Sequence, residues 1–250
     1  MLNIRHKLTA LHSEITQTIR TIPEFNAATI PNVNLWFDAS YGVVTATDAP
    51  VAQGTKVFGW KNKLNGVLRA NCLYPNEQPT LSLTSTGKPC IKFSGAHDLI
   101  NTGTGLLLGG GNSYTVISVV TRKRASGTYL DYIISTNNGN NPTLNCVINN
   151  LSSNFQPGIN RPNGTTIAYK NGLSSNLTIA NNETCVVAVT TTGGVVVNTG
   201  APYQIGFGYV GGTNYFLNGD IAEIVVVARA MSAAEILTAS TQLKAKYGIV

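Results

Sequence analysis

Charge is scarce in this sequence: Asp, Glu, Lys and Arg make up 11% of its 250 residues, where a globular chain usually carries about a quarter. The surface must therefore be carried by Asn, Thr, Ser and Gly, which crowd residues 101–214. Histidine is scarcer still, at three residues, and cysteine numbers four. Cys72, Cys90, Cys146 and Cys185 form no C-x-x-C pair and have no histidine at ligand spacing, which excludes the usual zinc patterns. Cys90 and Cys185 fall in strand-like runs, where a free cysteine packs as a small hydrophobe. No run approaches the ~20 apolar residues of a membrane helix, so no membrane partner is expected. The start at Met1–Lys7 is polar and no apolar stretch follows it, which reads as a chain without a secretory leader, made in a cytoplasm.

Basic residues are in excess, with a net charge of +6, but they are scattered. Arg122-Lys-Arg124 is the one tight cluster, and it reads as a solvent-facing hairpin end. Nucleic-acid binding wants a basic stripe interleaved with aromatics, so no nucleic-acid partner is expected. Calcium needs several converging oxygens. Asp98 with Asn101, and Asp131 with Asn137, are the nearest approaches, and neither is a cluster. Asp38 and Asp98 read as holders of turns and strand ends. His97 has no nucleophile-elbow serine, His6 and His12 lie in the first segment, and Gly109–Gly111 lacks the Lys-Ser/Thr of a phosphate loop. The expectation is no catalytic residue, no metal and no cofactor.

What is present is a 43% apolar fraction, enough for a sizeable core. Residues 1–22 contain no glycine or proline, and Ile4, Leu8, Leu11, Ile15, Thr18 and Ile22 step by four and three, a heptad seam on a helix. Three heptads are marginal alone, so the seam needs a partner: sister chains, another protein or the chain's own sheet. The favoured expectation is intermolecular, with Ile4, Leu8, Leu11, Ile15 and Ile22 anchoring the chain or forming a homotrimer. Pro23 to Val33 reads as a linker (23–33), which leaves 34–250 as the main domain.

That domain reads as about a dozen short strands. They include Val33–Ser40, Val57–Lys63, Gln78–Leu83, Pro89–Gly95, Tyr114–Val120, Tyr129–Ile134, Thr143–Ile148, Thr165–Tyr169, Cys185–Thr190, Gly194–Val197 and Tyr203–Gly208. The chain closes on a core strand, Ile221–Ala228, and a short helix. Ser232 and Glu235 stand in the capping-box relation. Ile236, Leu237, Leu243 and Tyr247 give the helix one apolar face, and Gly248 stops it. The fold class expected is mostly β: a two-sheet antiparallel jelly-roll sandwich with an N-terminal α-helix and a short C-terminal helix.

Leu35-Trp-Phe-Asp-Ala-Ser40, Trp60-Lys-Asn-Lys63, Gln78-Pro-Thr80, Gly87–Gly95 with Asp98-Leu99, and the closing Gly219-Asp-Ile-Ala-Glu223 and Met231–Glu235 resemble the concanavalin A-like lectin/glucanase superfamily. The likeness is to its laminin-G-like subset, found in bacterial surface and phage structural proteins. That resemblance implies a jelly-roll used for carbohydrate or protein binding, and no single activity. Its glucanase members place catalytic carboxylates in an E-x-D-x-(x)-E strand pattern, which is absent here. The nearest pair, Asp220 and Glu223, is spaced by three and on a regular strand points to opposite faces, so Glu223 reads as a structural acid. Tyr129, Tyr132, Phe155, Tyr169, Tyr203, Tyr209 and Tyr215 lie near Asn-rich loops as material for sugar stacking, with no sugar site assigned. The function expected is a non-enzymatic virion structural protein of a bacteriophage: a fibre, spike or capsid-decoration subunit. It would sit in the virion, touch other virion proteins through the first helix and bind a host-surface glycan. The alternatives are a soluble carbohydrate-binding lectin and a glucanase-type hydrolase.

Overall fold

The computed structural model describes residues 22–66, 69–72, 74–96, 99–101, 113–123, 130–136, 145–150, 155–158, 165–193, 203–210 and 213–250. Within them the chain forms β1 (Val33–Asp38), β2 (Val43–Val44), β3 (Gly59–Lys61), β4 (Arg69–Asn71), β5 (Thr80–Leu83), β6 (Pro89–Ser94), β7 (Leu99–Asn101), β8 (Tyr114–Arg122) and β9 (Leu130–Thr136). There follow β10 (Asn145–Asn150), β11 (Phe155–Gly158), β12 (Thr165–Lys170), β13 (Thr184–Thr192), β14 (Tyr203–Ile205), β15 (Phe207–Val210), β16 (Thr213–Phe216) and β17 (Asn218–Val227). A helix, α1 (Ala233–Tyr247), closes the chain. The expected mostly-β antiparallel sandwich with a C-terminal helix is what forms. Ile4, Leu8, Leu11 and Ile15, with residues 1–21 of the helix expected over 1–22, lie outside the described residues, as does the strand expected at Gly194–Val197.

One sheet has seven strands in the order β12-β13-β8-β17-β6-β5, with β1 also on β17. The other has eight, β11-β10-β9-β14-β7-β4-β3-β2, and β15–β16 is a separate hairpin. The period of two along β1 builds the layers. Leu35 and Phe37 face the sandwich interior with Trp60, Phe93, Tyr203 and Ile224. Trp36 faces the other way, into a second core with Val225, Ile236, Leu243 and Tyr247 beneath α1. The seven-stranded sheet is thus covered on both faces.

β17 is the axis of this arrangement. β8 runs along one edge of it from Gly219 to Val227. The other edge is shared, β6 pairing up to Ile221 and β1 taking over from Glu223 to Val227. The ladder slips by one residue between Ile221 and Glu223, the mark of a β-bulge. That extra residue corrects the expectation that Asp220 and Glu223 oppose each other across the sheet. Asp220 pairs in register with Lys92, two residues from Cys90 in the helix-side core, and Glu223 meets Trp36 and Tyr247 of the same core. Both acids face the helix side.

The helix begins and ends as expected. Ser232 accepts from the Glu235 amide and Glu235 accepts from the Ser232 amide, and Gly248 terminates it at φ 62°. Leu237 departs from expectation: it is 45% exposed, while Ile236, Leu243 and Tyr247 are buried. The segment read as a linker is also packed down. Phe25 and Ala27 are buried, and the Phe25 ring meets Trp36 edge-on at 6.2 Å. Arg122, expected at a solvent-facing hairpin end, is buried and donates to the Ile179 carbonyl. Lys123 beside it pairs with Asp220 at 2.6 Å. Cys90 and Cys185 are buried free thiols, each pushed up to about 12 by burial, so both are inert core residues.

Candidate functional site

Two places gather polar chemistry. In the first, Asp38 and Glu223 stand directly opposite each other across the β1–β17 ladder. Like charges so placed repel, and Lys246, in the last turn of α1, resolves the conflict. Its Nζ lies 2.8 Å from Asp38 Oδ2 and 2.6 Å from Glu223 Oε2. Lys63 adds a second ammonium on Asp38 at 2.9 Å and sits 4.3 Å from the Trp36 ring centroid. Trp36 Nε1 donates to Glu223 Oε1 at 2.6 Å, and the Tyr247 hydroxyl donates to Glu223 Oε2 at 2.8 Å.

Both carboxylates are fully buried. Burial raises Asp38, but the Lys246 charge and hydrogen bonds from Lys246, Lys63 and Ser40 outweigh it and hold the carboxyl down at about 2. Burial raises Glu223, Asp38 adds to the rise, and Lys246 offsets part of it. Burial alone would lower Lys246; the two carboxylates reverse that and raise it. Each carboxylate oxygen of the pair accepts from a donor within the chain. The cluster is a tie joining β1, β17 and α1. Among the described residues, no group of three His, Cys, Asp or Glu side chains is placed to hold a metal.

The tie has a pH signature. Asp38 titrates near 3.8 when free and about 2 when folded. A carboxyl depressed by folding adds stability above its free pKa and loses it as pH falls, here between about pH 4 and pH 2, a matter of about 2 kcal/mol. Glu223 has the opposite sign: a raised folded pKa costs stability as pH rises. Glu235, held at about 2 by Arg229 and Ser232, faces solvent and its share is screened. Thermal melts of the wild type are expected to show a fall in Tm from pH 4 to pH 2 that Asp38→Asn flattens; equal slopes in the two proteins would refute the assignment.

The second place is the outer face of the eight-stranded sheet. Cα register aligns Gly59, Asn71, Ile100, Gln204, Ser135 and Asn145 across six strands. Ala70 and Cys72 point into the sandwich interior, as do Tyr203 and Ile205, so the intervening Asn71 and Gln204 point out. Asn71 Oδ1 and Gln204 Oε1 are buried and accept no hydrogen bond. The β15–β16 hairpin lies over the β9 side of this face. Ser135 donates to the Phe207 carbonyl at 2.7 Å, and the Tyr132 and Tyr215 rings meet at a tilt of 39° with centroids 6.3 Å apart. A Cβ on Gly208 would stand 2.4 Å from the Tyr132 ring, so only glycine lets the hairpin lie this close.

Of the aromatics considered for sugar stacking, Tyr132, Tyr169 and Tyr203 are buried and Tyr215 is half-buried over Tyr132. Tyr129 and the side chains of Phe155 and Tyr209 lie outside the description, as do His97, Asp98 and Asn137. Asp131 is buried and accepts from the Asn218 amide at 3.1 Å, a structural role. Asn71 and Gln204 escaped the sequence reading. Their signal is an amide between two core residues at period two, Ala-Asn-Cys and Tyr-Gln-Ile.

No protein-family model matches the chain, and no curated protein does. Among solved structures, a Trypanosoma rangeli sialidase in complex with 2,3-difluorosialic acid aligns with 84% of this chain at 12% identity and a TM-score of 0.51. The chain spans about a third (33%) of that sialidase. Domain 4 of a GH43 extracellular arabinanase from Geobacillus stearothermophilus, in complex with arabinotriose, aligns over 84% of this chain and 98% of that domain, at 11% identity and a TM-score of 0.40, too low to carry weight. The sialidase is not a virion subunit. The expectation of a non-enzymatic phage structural protein therefore does not stand. At 12% identity the sialidase likeness shows the fold alone, a β-rich sandwich.

Proposed function

We propose that this sandwich is a carbohydrate-binding domain whose ligand lies on the outer face of the eight-stranded sheet, along Asn71, Gln204 and Ser135. The observation that carries the reading is the pair of buried, donorless amide oxygens, Asn71 Oδ1 and Gln204 Oε1. A buried acceptor left empty costs about 1–3 kcal/mol, and the chain bears two in one row. Sugar hydroxyls are donors of the right size. Strands β4 and β14 flank β7, which sets the two side chains roughly 10 Å apart, a span that a short oligosaccharide bridges. Amides also donate through their NH2 groups, matching the mixed character of a hydroxyl. The low charge of the chain suits a neutral ligand, and the fold likeness to a sialidase supports the same class.

Calorimetric titration with a neutral oligosaccharide panel, arabinotriose and sialic acid tests this. Saturable binding of at least one probe is expected, with affinity at least tenfold lower in the Asn71→Ala/Gln204→Ala protein. The melting temperature of the double variant is measured alongside, so that lost binding is read from folded protein. Absence of saturable binding across the panel, or binding unchanged in the double variant, would overturn the proposal.

A further inference from the structure

The orders of the two large sheets end on four strands, β12, β5, β11 and β2. An unpaired edge is a template for another chain, and proteins blunt it with proline, charge, short length or a covering segment. Three of the four are blunted. The Gly54 amide donates to the Leu81 carbonyl and the Leu81 amide to the Thr55 carbonyl, so a neighbouring segment covers β5. β11 carries Pro157, and β2 is two residues long and bridged to Pro50. β12 has none of these defences. Its six residues, Thr165-Thr-Ile-Ala-Tyr-Lys170, run in unbroken register with β13, and Thr165, Thr166 and Ile167 are exposed. Its one charge, Lys170, is drawn to Glu183 at 2.7 Å instead of guarding the edge.

Alternate residues of an antiparallel strand turn their backbone groups to opposite edges. The Asn171 amide donates to the Val186 carbonyl, on the β13 side, while Lys170 exchanges bonds with Leu173 on the other. Counting back, Tyr169, Ile167 and Thr165 face β13, and Ala168 and Thr166 turn N–H and C=O outward. Among the described residues nothing pairs with those outward groups. We infer that β12 pairs antiparallel with β12 of a second copy of this chain, about a two-fold axis at Ile167. The parity fits that axis, since Thr166 of each copy then exchanges bonds with Ala168 of the other. Ile167 meets its equivalent at the non-hydrogen-bonded position, where Cα atoms stand about 4.5 Å apart and side chains come closest. Ile167 is the large hydrophobic that β12 leaves open, at 43% exposure, and the pairing covers it. Residues 165–169 are uncharged, so no like charges face each other. This self-match favours a second copy over an unrelated peptide, and a two-fold pair is the commonest closed assembly.

Light scattering behind size exclusion, over a hundredfold range of concentration, tests the inference on the full chain. The wild type is expected to reach twice the chain mass at the upper end. Ile167→Lys sets two ammonium groups opposite each other, and Thr166→Pro removes an outward N–H without touching the β13 ladder. Each should weaken the dimer at least tenfold, with the circular dichroism of the strands unchanged. Should one variant lose its fold, the other carries the readout. A wild type at the chain mass throughout, or a trimeric mass, overturns the inference. So does a dimer that survives either substitution in a folded protein.

Discussion

Replacing Lys246 by methionine is expected to lower the melting temperature by roughly 10 °C, the consequence of about 3–5 kcal/mol lost when one partner of a buried ion cluster is removed. The size follows from geometry. Asp38 and Glu223 are opposite one another on adjacent strands, both are fully buried, and Lys246 is the cation they share. Methionine keeps the stem volume, so packing beneath α1 changes little and the loss reads as electrostatics. Lys63 remains on Asp38, but Glu223 keeps only its neutral donors, Trp36 and Tyr247. Adding Glu223→Gln to Lys246→Met should therefore recover a large part of the deficit. A drop below about 3 °C in Lys246→Met, or no recovery in the double variant, would show that the tie contributes little.

Gly219→Ala should cost about 3 kcal/mol, read as a lower urea midpoint. A Cβ at this position would stand 2.4 Å from the Thr121 carbonyl oxygen. Side-chain clashes relax by rotamer change, but a carbonyl in a ladder does not. β17 is held here on both edges, by Arg122 of β8 and Phe93 of β6, so the strand has nowhere to move, and overpacking of this kind sits at the upper end of its usual range. Gly54→Ala is the matched control. Its φ of +80° is unfavourable, but nothing lies within 4 Å of the added methyl, and a loss of about 1 kcal/mol is expected. Comparable losses at the two sites would contradict the steric account.

The sequence was most informative where a local rule decided the outcome. The strand at Pro89–Gly95, the Ser232–Glu235 capping box and the Gly248 stop depend on neighbours a few residues away, and each formed as read. It was least informative where distant chain decides. Period-two counting failed for Asp220 and Glu223 because β17 exchanges one neighbour for another between them and takes a bulge to do so. Arg122 looked solvated beside Lys123, yet the β12–β13 connection brings the Ile179 carbonyl to it. Leu237 counted as core by helical spacing, but α1 turns its flank toward the Leu173 turn. The Asn71–Gln204 row joins β4 and β14, more than a hundred residues apart in a sheet order that no local pattern encodes. For function, the aromatic count drew attention to Tyr132, Tyr169 and Tyr203, which are buried, while two plain amides carried the better candidate.

The position of β17 also bears on how the protein is made. Val33 finds its partner at Val227, so the first strand leaves the ribosome and waits for 194 residues before its ladder exists. At about 5–20 residues per second that is roughly 10 to 40 s. During that time β1 and β6 lack the strand that each will flank. The low charge of the chain offers little repulsion between such nascent edges, so the yield of soluble protein should depend on chaperone supply and growth temperature more steeply than its final stability implies.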